Sequence, residues 1–232
     1  MTLAVAILAG GLATRLGSVT KTIPKALLAV AGKPFIEWQL DYLKNQGIQR
    51  VVLCVGHLGE QIQTHLEAHK PDGLELLFSF DGLSRLGTGG ALKQALPLLG
   101  NPFFVLYGDT YLPISFQKLE SVFYQQERPV LMTVFKNNNP RSTSNVWFKN
   151  GVLLEYNKQE PRHEMDYIDY GVSIISAPIL THYPLNGAFD LACFYHHCSL
   201  QGALLGHEVF VPFYEIGTTE GWQETAGFLR ST

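Results

Sequence analysis

The stretch AVAILAGGLATRLGSVTKTIPKALLAVAGKPFIEW, residues 4–38, decides the fold. It begins as an unbroken apolar run over residues 3–8. It then passes into Gly10-Gly11, Arg15, and a lysine, Lys25, held between Pro24 and Ala26. A short run that is apolar at every position, not at alternate ones, is a strand buried on both faces, as in parallel sheets covered by helices. A glycine pair directly after it lets the backbone approach a ligand and leaves N–H groups free to face an anion. Arg15 adds a planar fork of donors matched to phosphate oxygens, and Lys25 adds a mobile point charge. The loop is not a Walker A loop, because no glycine is followed directly by Lys and Ser/Thr at the required spacing. Gly10-Gly11-Leu12-Ala13 likewise breaks the dinucleotide pattern. A polyphosphate cradle is the functional reading. An ordinary turn with both cations in solvent is the alternative that the loop alone leaves open.

Outward from this stretch, strands and helices alternate. Pro34 sits where a first helical turn begins, and residues 35–46 carry a helical pattern ended by Gly47. Strands are expected at 49–55, 74–80 and 103–107, with helices at 60–68 and 88–99. That alternation predicts an α/β fold with a mainly parallel central sheet and helices on both faces. Beyond residue 110 the pattern loosens. Helices are expected at 115–126, 189–201 and 219–229. Strands are expected at 130–135, 145–148, 152–156, 172–175 and 207–212, with Asn150-Gly151 as a hairpin turn. No linker or repeat divides the chain, so residues 1–232 are expected to form one domain. Its halves are 1–110, on the nucleotide side, and 111–232.

Composition narrows the function. The chain is 46% hydrophobic and 16% charged, enough apolar residue to bury a core and too little charge for disorder. A net charge of −3 without a basic run argues against nucleic acid as a partner. No apolar run reaches the ~20 residues that a membrane span needs. The first nine residues lack a basic n-region and a cleavage site. Cys54, Cys193 and Cys198 show no CxxC spacing and are expected to be free buried thiols, which points to a reducing cytoplasmic setting.

Two further segments point to a ligand. In LGTGGALKQAL, residues 86–96, Gly87, Gly89 and Gly90 surround Thr88 just before a helix, a place suited to a polar or anionic group. In FFVLYGDTYL, residues 103–112, an apolar strand delivers Asp109 to its C-terminal end, the edge where open α/β sheets bind ligands. An acid there beside a triphosphate most simply holds Mg²⁺. An Asx-turn after the strand is the structural alternative.

Together these segments resemble the sugar-1-phosphate nucleotidyltransferases. The matches are LAGGLATRL, IPKALLAVAGKPFI, LGTGGAL and YGD. They lie nearest to the guanylyltransferases acting on D-glycero-α-D-manno-heptose 1-phosphate. The resemblance implies a Rossmann-like, GT-A type nucleotidyltransferase fold. It also implies NTP and sugar 1-phosphate as partners and Mg²⁺ as cofactor. Leu8, Ala9, Gly10, Gly11, Gly87, Thr88, Gly89 and Gly90 would bind the nucleotide, with Arg15 and Lys25 on its phosphates. YNKQEP at 156–161 matches the family's EKP segment and makes Lys158 a sugar-phosphate contact. IDYGVSII at 168–175 makes Asp169 and Gly171 sugar-side residues, joined by Asp81 and Tyr107. Asp109 and Glu215 would hold the metal. Ala13, Asn157, Asp169 and Glu215 depart from the family pattern.

Other readings remain open at this level. A silent nucleotide-sugar sensor is motivated by Ala13 and Glu215, and a cytidylyltransferase for a non-sugar phosphate by Asn157 and Asp169. His196-His197 reads as helix surface, since neighbours on a helix point about 100° apart. Trp147, Phe148 and Tyr156 read as core, as do Phe210, Phe213, Tyr214 and Trp222, with a homo-oligomer left open. No second, acyltransferase-type half is expected.

Overall fold

In the computed structural model, which describes residues 2–11, 22–139 and 143–231, β1 (Ala4–Leu8) is buried at every position. Successive side chains point to opposite faces. Ala4, Ala6 and Leu8 therefore enter one core, and Leu3, Val5 and Ile7 enter the other.

A single 3-10 turn (Lys25–Leu27), β2 (Ala29–Val30) and β3 (Lys33–Pro34) lead into α1 (Phe35–Asn45). Then follow β4 (Arg50–Val55), α2 (Gly59–His69), β5 (Glu75–Phe80), α3 (Gly87–Leu99), β6 (Phe103–Tyr107) and β7 (Thr110–Tyr111). The later part contains α4 (Phe116–Gln125), β8 (Val130–Lys136), β9 (Val146–Lys149), β10 (Val152–Tyr156) and β11 (Tyr167–Ile175). It closes with α5 (Ala177–Thr181), α6 (Leu191–Leu200), β12 (Leu204–Val209), β13 (Tyr214–Glu215) and α7 (Thr219–Arg230).

Among the described residues, nine strands form one mixed sheet along the path β10-β9-β11-β6-β1-β4-β5, with β8 joined to β11 and β12. From β6 to β5 all pairings are parallel. Their C-terminal ends therefore share one edge. β11 enters antiparallel to β6, with Val172 opposite Leu106. That reversal brings residues 167–171, at the start of β11, to the same edge.

Helices cover both faces. Ile36 and Leu40 of α1, Ile62 of α2 and Phe116 of α4 pack on one side. Leu92 of α3 and Phe194 of α6 pack on the other. Each such side chain contributes roughly 1.5–3 kcal/mol by leaving water. α7 closes a smaller cluster through Leu229, with Val30, Phe35, Tyr111 and Ile216. No helix among the described residues is long and apolar enough to cross a membrane.

The second half departs from the sequence expectations in several places. The last sheet strand runs over Leu204–Val209, not 207–212. Gly206 and His207 hide its strand character, yet it pairs in parallel with β8 from Leu204 opposite Val130 to Val209 opposite Phe135. A Cβ on Gly206 would lie 2.8 Å from the Phe148 ring, so close approach of the β9–β10 hairpin requires glycine there. The chain has left the sheet by Phe210, which is 80% exposed and does not belong to the core. Phe213, Tyr214 and Trp222 are partly buried. Trp147 is partly buried beside the buried Phe148 and Tyr156. Cys54 and Cys198 are buried, but Cys193 is only partly so. His197 is exposed, whereas the partly buried His196 ring bonds the Tyr156 carbonyl through Nδ1 at 2.7 Å.

Candidate functional site

A cavity of about 500 Å³ opens at the shared C-terminal edge of the parallel strands. Its wall is contributed strand by strand. β1 gives Leu8 and the following Ala9, Gly10 and Gly11. β4 gives Cys54, the chain after β5 gives Asp81, and β6 gives Tyr107 and the following Asp109. Lys25 from the 3-10 turn, Gly87 and Thr88 complete the set of predicted residues that meet there. Arg85 also lines the wall, a residue that no sequence motif flagged. Arg15 and Ala13 lie outside the described residues. Gly89, Gly90, Lys158, Asp169, Gly171 and Glu215 are not part of the wall.

The charged centre of the cavity is the pair Lys25–Asp109, with Nζ 2.9 Å from Oδ2 and side chains 16% and 32% exposed. The two residues are 84 positions apart in sequence. They meet because the turn after β1 and the turn after β6 sit on neighbouring strands. Gly108 makes this approach feasible, since a Cβ there would lie 2.9 Å from the Leu8 carbonyl oxygen. Cys54 faces the same wall, but burial pushes its thiol up to about 12, so it is no nucleophile near neutral pH.

Asp81 stands three strands away from Asp109, on the path β6-β1-β4-β5. At about 4.8 Å per strand that is ~14 Å. Burial raises its pKa, against the opposing effects of the Leu86 N–H and Arg85. Asp81 thus lies three strands along the wall from Tyr107.

The predicted sugar-side residues fall into two groups beside the cavity. In one, the Asp169 carboxylate accepts the Gly171 N–H at 3.0 Å and the Tyr107 hydroxyl at 3.4 Å. Gly171 takes a φ of +114°, and the pairing with β8 shifts register between Asp169 and Ser173, which turns the strand locally. Burial raises the Asp169 pKa to about 6, outweighing those hydrogen bonds and the nearby Lys158. In the other group, the exposed Lys158 ammonium lies 3.2 Å from Asp190 Oδ2. Asp190 Oδ1 accepts from Thr88 Oγ1 at 3.0 Å and caps α6 through the Ala192 N–H. Burial would raise its pKa, but the Ala192 N–H, Lys158 and Thr88 outweigh burial and hold it below the usual value. Asp190 therefore links the cavity wall at Thr88 to Lys158. The sequence signal for it was the Asp before an apolar run, a helix N-cap pattern.

Glu215 reaches the neighbourhood of Asp109 through backbone pairing. β13 runs antiparallel to β7 with Glu215 opposite Thr110, and the Ile216 N–H donates to the Asp109 carbonyl at 3.0 Å. The pairing sets the Glu215 backbone beside the Asp109 turn, and of the two carboxylates, both hard oxygen donors of the kind Mg²⁺ takes alongside phosphate oxygens, only that of Asp109 lines the cavity. No group of three or more His, Cys, Asp or Glu suited to a metal occurs among the described residues. The donor set therefore fits an ion that completes its shell with substrate oxygens and solvent, not one held in an all-protein cage.

Residues 5–194 match the MobA-like NTP transferase domain. Among curated proteins, the chain is 41% identical over 114 residues to D-glycero-alpha-D-manno-heptose 1-phosphate guanylyltransferase of Campylobacter jejuni, covering 49% of this chain and 51% of that one. It is 42% identical over 111 residues to N-acetylmuramate alpha-1-phosphate uridylyltransferase of Neisseria meningitidis, covering 47% and 48%. The chain thus spans about half the length of the curated relatives it matches. Among solved structures, HddC from Yersinia pseudotuberculosis has a TM-score of 0.84 at 25% identity, covering 98% of this chain and 100% of that one. The same protein complexed with GMP-PN gives 0.82.

Proposed function

The chain belongs to the MobA-like NTP transferase family, and from that premise we propose that it transfers a nucleotidyl group from an NTP to a sugar 1-phosphate, releasing pyrophosphate. The observation that carries this reading is the Lys25–Asp109 pair at the centre of a large cavity, on the edge where parallel strands end. GTP is the favoured nucleotide and a manno-heptose or mannose 1-phosphate the favoured acceptor. The guanylyltransferase relative and the GMP-PN complex of HddC support that choice. The chain acts as one nucleotidyltransferase domain, with 1–110 on the nucleotide and 111–232 on the sugar phosphate.

An oxygen of the sugar phosphate attacks the α-phosphorus. A P–O bond forms to the acceptor, and the bond to the pyrophosphate oxygen breaks. A phosphate dianion is already a nucleophile, so no general base is assigned. The barrier lies in bringing anions together and in the charge spread over non-bridging oxygens. Gly10 and Gly11 let the polyphosphate approach the backbone, and Lys25 neutralises its charge. Asp169 and Lys158 sit beside Tyr107 and Thr88, where an acceptor entering the cavity would meet them. Asp109 and Glu215 would hold Mg²⁺, which would supply further positive charge to the phosphates.

Pyrophosphate release is measured with GTP, UTP, CTP and dTTP against a panel of sugar 1-phosphates, with EDTA and Asp109→Ala as controls. Release that requires one NTP, one sugar phosphate, metal and Asp109 is the expected result. Lys25→Ala is expected to lower kcat by 10²–10³, as for other electrostatic stabilisers worth ~3–4 kcal/mol. Near-normal turnover in Lys25→Ala would overturn its role. Silence across the whole panel, with GTP binding intact, would favour a non-sugar acceptor or a sensor.

A further inference from the structure

We propose that Gln39, on α1 beneath the cavity, is the positioning residue that fixes the turn carrying Asp109. This rests on the reading of Asp109 as a metal ligand. Gln39 is 2% exposed and is the one polar side chain among the buried residues of α1. Helical patterning calls for an apolar residue at this place, between Phe35, Ile36, Leu40 and Leu43. A glutamine here therefore asks for a specific reason.

Its Nε2 donates to two carbonyl oxygens, that of Tyr107 at 2.9 Å and that of Thr110 at 2.8 Å. Those carbonyls bracket Gly108-Asp109. Both amide hydrogens are thereby committed to one four-residue turn. Oε1 has no partner among the described residues. The amide orientation is set by chemistry, because the flipped form would aim Oε1 at two carbonyl oxygens and lose both bonds.

The remaining bonds recorded for the turn come from backbone groups and from Asp109's own surroundings. The Gly108 N–H donates to the Leu8 carbonyl at 3.0 Å, and the Asp109 carbonyl accepts from the Ile216 N–H at 3.0 Å. Thr110 Oγ1 donates to Asp109 Oδ1 at 3.3 Å, and Lys25 holds Oδ2. Those contacts locate single atoms. Among the described residues, Gln39 is the side chain that ties the two sides of the turn to each other, and so sets the direction in which the Asp109 carboxylate leaves the backbone.

Gln39→Met keeps the volume and removes both donors. Leu43→Ala, one helical turn along, damages the same helix but leaves both Gln39 donors to the turn in place. Three readouts are compared: urea stability, GTP affinity in EDTA, and Mn²⁺ binding to the protein–GTP complex by electron paramagnetic resonance. Gln39→Met is expected to weaken Mn²⁺ binding at least fivefold and to raise the Mg²⁺ concentration for half-maximal turnover in parallel. Its GTP affinity in EDTA should stay within twofold of the parent. Leu43→Ala should lose stability with metal binding unchanged. Parent-like metal binding in Gln39→Met, or an equal shift in Leu43→Ala, overturns the inference. If Gln39→Met does not fold, Gln39→Glu, which keeps the shape and sets a carboxylate against two carbonyls, carries the same expectation. Asp109→Ala in the same titration separates the two claims. If it binds Mn²⁺ like the parent, the metal reading of Asp109 fails. If it loses Mn²⁺ while Gln39→Met and Gln39→Glu do not, only the role of Gln39 fails.

Discussion

At Gly11 an added Cβ would meet no atom of the described residues within 4 Å, whereas at Gly90 it would lie 2.1 Å from the Gly187 carbonyl oxygen. The two glycine-rich loops read alike in sequence, and both border the cavity. Their glycines answer to different neighbours. Among the described residues nothing fills the space beside Gly11, while a Cβ on its neighbour Gly10 would lie 3.1 Å from the Gly56 backbone nitrogen. Gly87, Gly89 and Gly90 are small because residues 187–190 of the second half lie against them. A Cβ on Gly89 would fall 2.1 Å from the Phe189 ring, and one on Gly87 2.6 Å from the Phe189 carbonyl oxygen. The N–H groups of Gly89 and Gly90 also donate to that carbonyl, at 2.9 and 3.4 Å. These N–H groups at the start of α3 are therefore spent on the chain itself. Gly87, Thr88 and Ala91 reach the cavity wall, and Gly89 and Gly90 do not. The lesson is that a glycine cluster before a helix can record a close protein–protein approach within one chain as readily as a ligand.

This contrast can be broken most directly at Gly90. Gly90 is inside α3, where replacing Gly by Ala ordinarily stabilises by ~0.5–1 kcal/mol. Here Gly90→Ala is expected to destabilise by about 3 kcal/mol, since the obstacle is backbone and cannot rotate away. Urea unfolding gives the sign, and a gain in stability would end the packing account of this loop.

A middle-sized effect is expected at Asp169, where burial and not a clash carries the cost. Its folded pKa of about 6 lies above the ordinary carboxylate value. Between about pH 4 and 6 the native state therefore binds more protons than the unfolded one, and stability falls as pH rises through that window. Above pH 6 the cost is fully present. Asp169→Asn should be more stable than the parent at pH 7, by on the order of 1 kcal/mol, and the two should converge near pH 4. Thermal melts across that range measure the difference, and a gap that does not depend on pH would refute the burial argument.

The smallest stability effect belongs to Gly11. Gly11→Ala is expected to change unfolding by less than about 0.5 kcal/mol, as surface substitutions do. GTP affinity should nonetheless fall, because the methyl group enters space left for the ligand. Calorimetric titration with GTP alongside urea unfolding tests the pairing. Unchanged affinity would place Gly11 outside the nucleotide site.

The sequence carried the first half of the molecule well. Strands at 4–8, 50–55, 75–80 and 103–107 are local, mostly apolar and followed within two residues by glycine or aspartate, so their reading needed no partner. Lys25, Asp109 and the glycine pair were legible for the same reason. The second half was harder, because its strands draw their character from what they touch. β12 is recognisable only beside β8, and Gly206 only beneath Phe148. Asp190, inside the helix expected at 189–201, instead caps it through one oxygen while its second oxygen reaches Lys158. Phe210 was taken for core on hydrophobicity alone, though nothing folds over it.

What the sequence determined by itself was a glycine-rich loop suited to an anion and the parallel half of the sheet. Both follow from local order: an apolar run ends, a glycine or an acid comes next, and the period of the pattern names the element. What only the tertiary structure decided was which distant residues share an atom's reach. Lys25 meets Asp109 across 84 positions, Glu215 arrives beside Thr110 through a two-residue ladder, and Gln39 holds a turn on another element. Side-chain hydrogen bonds and close packing act over a few ångströms, and separation along the chain sets no such distance. Only the folded sheet edge does.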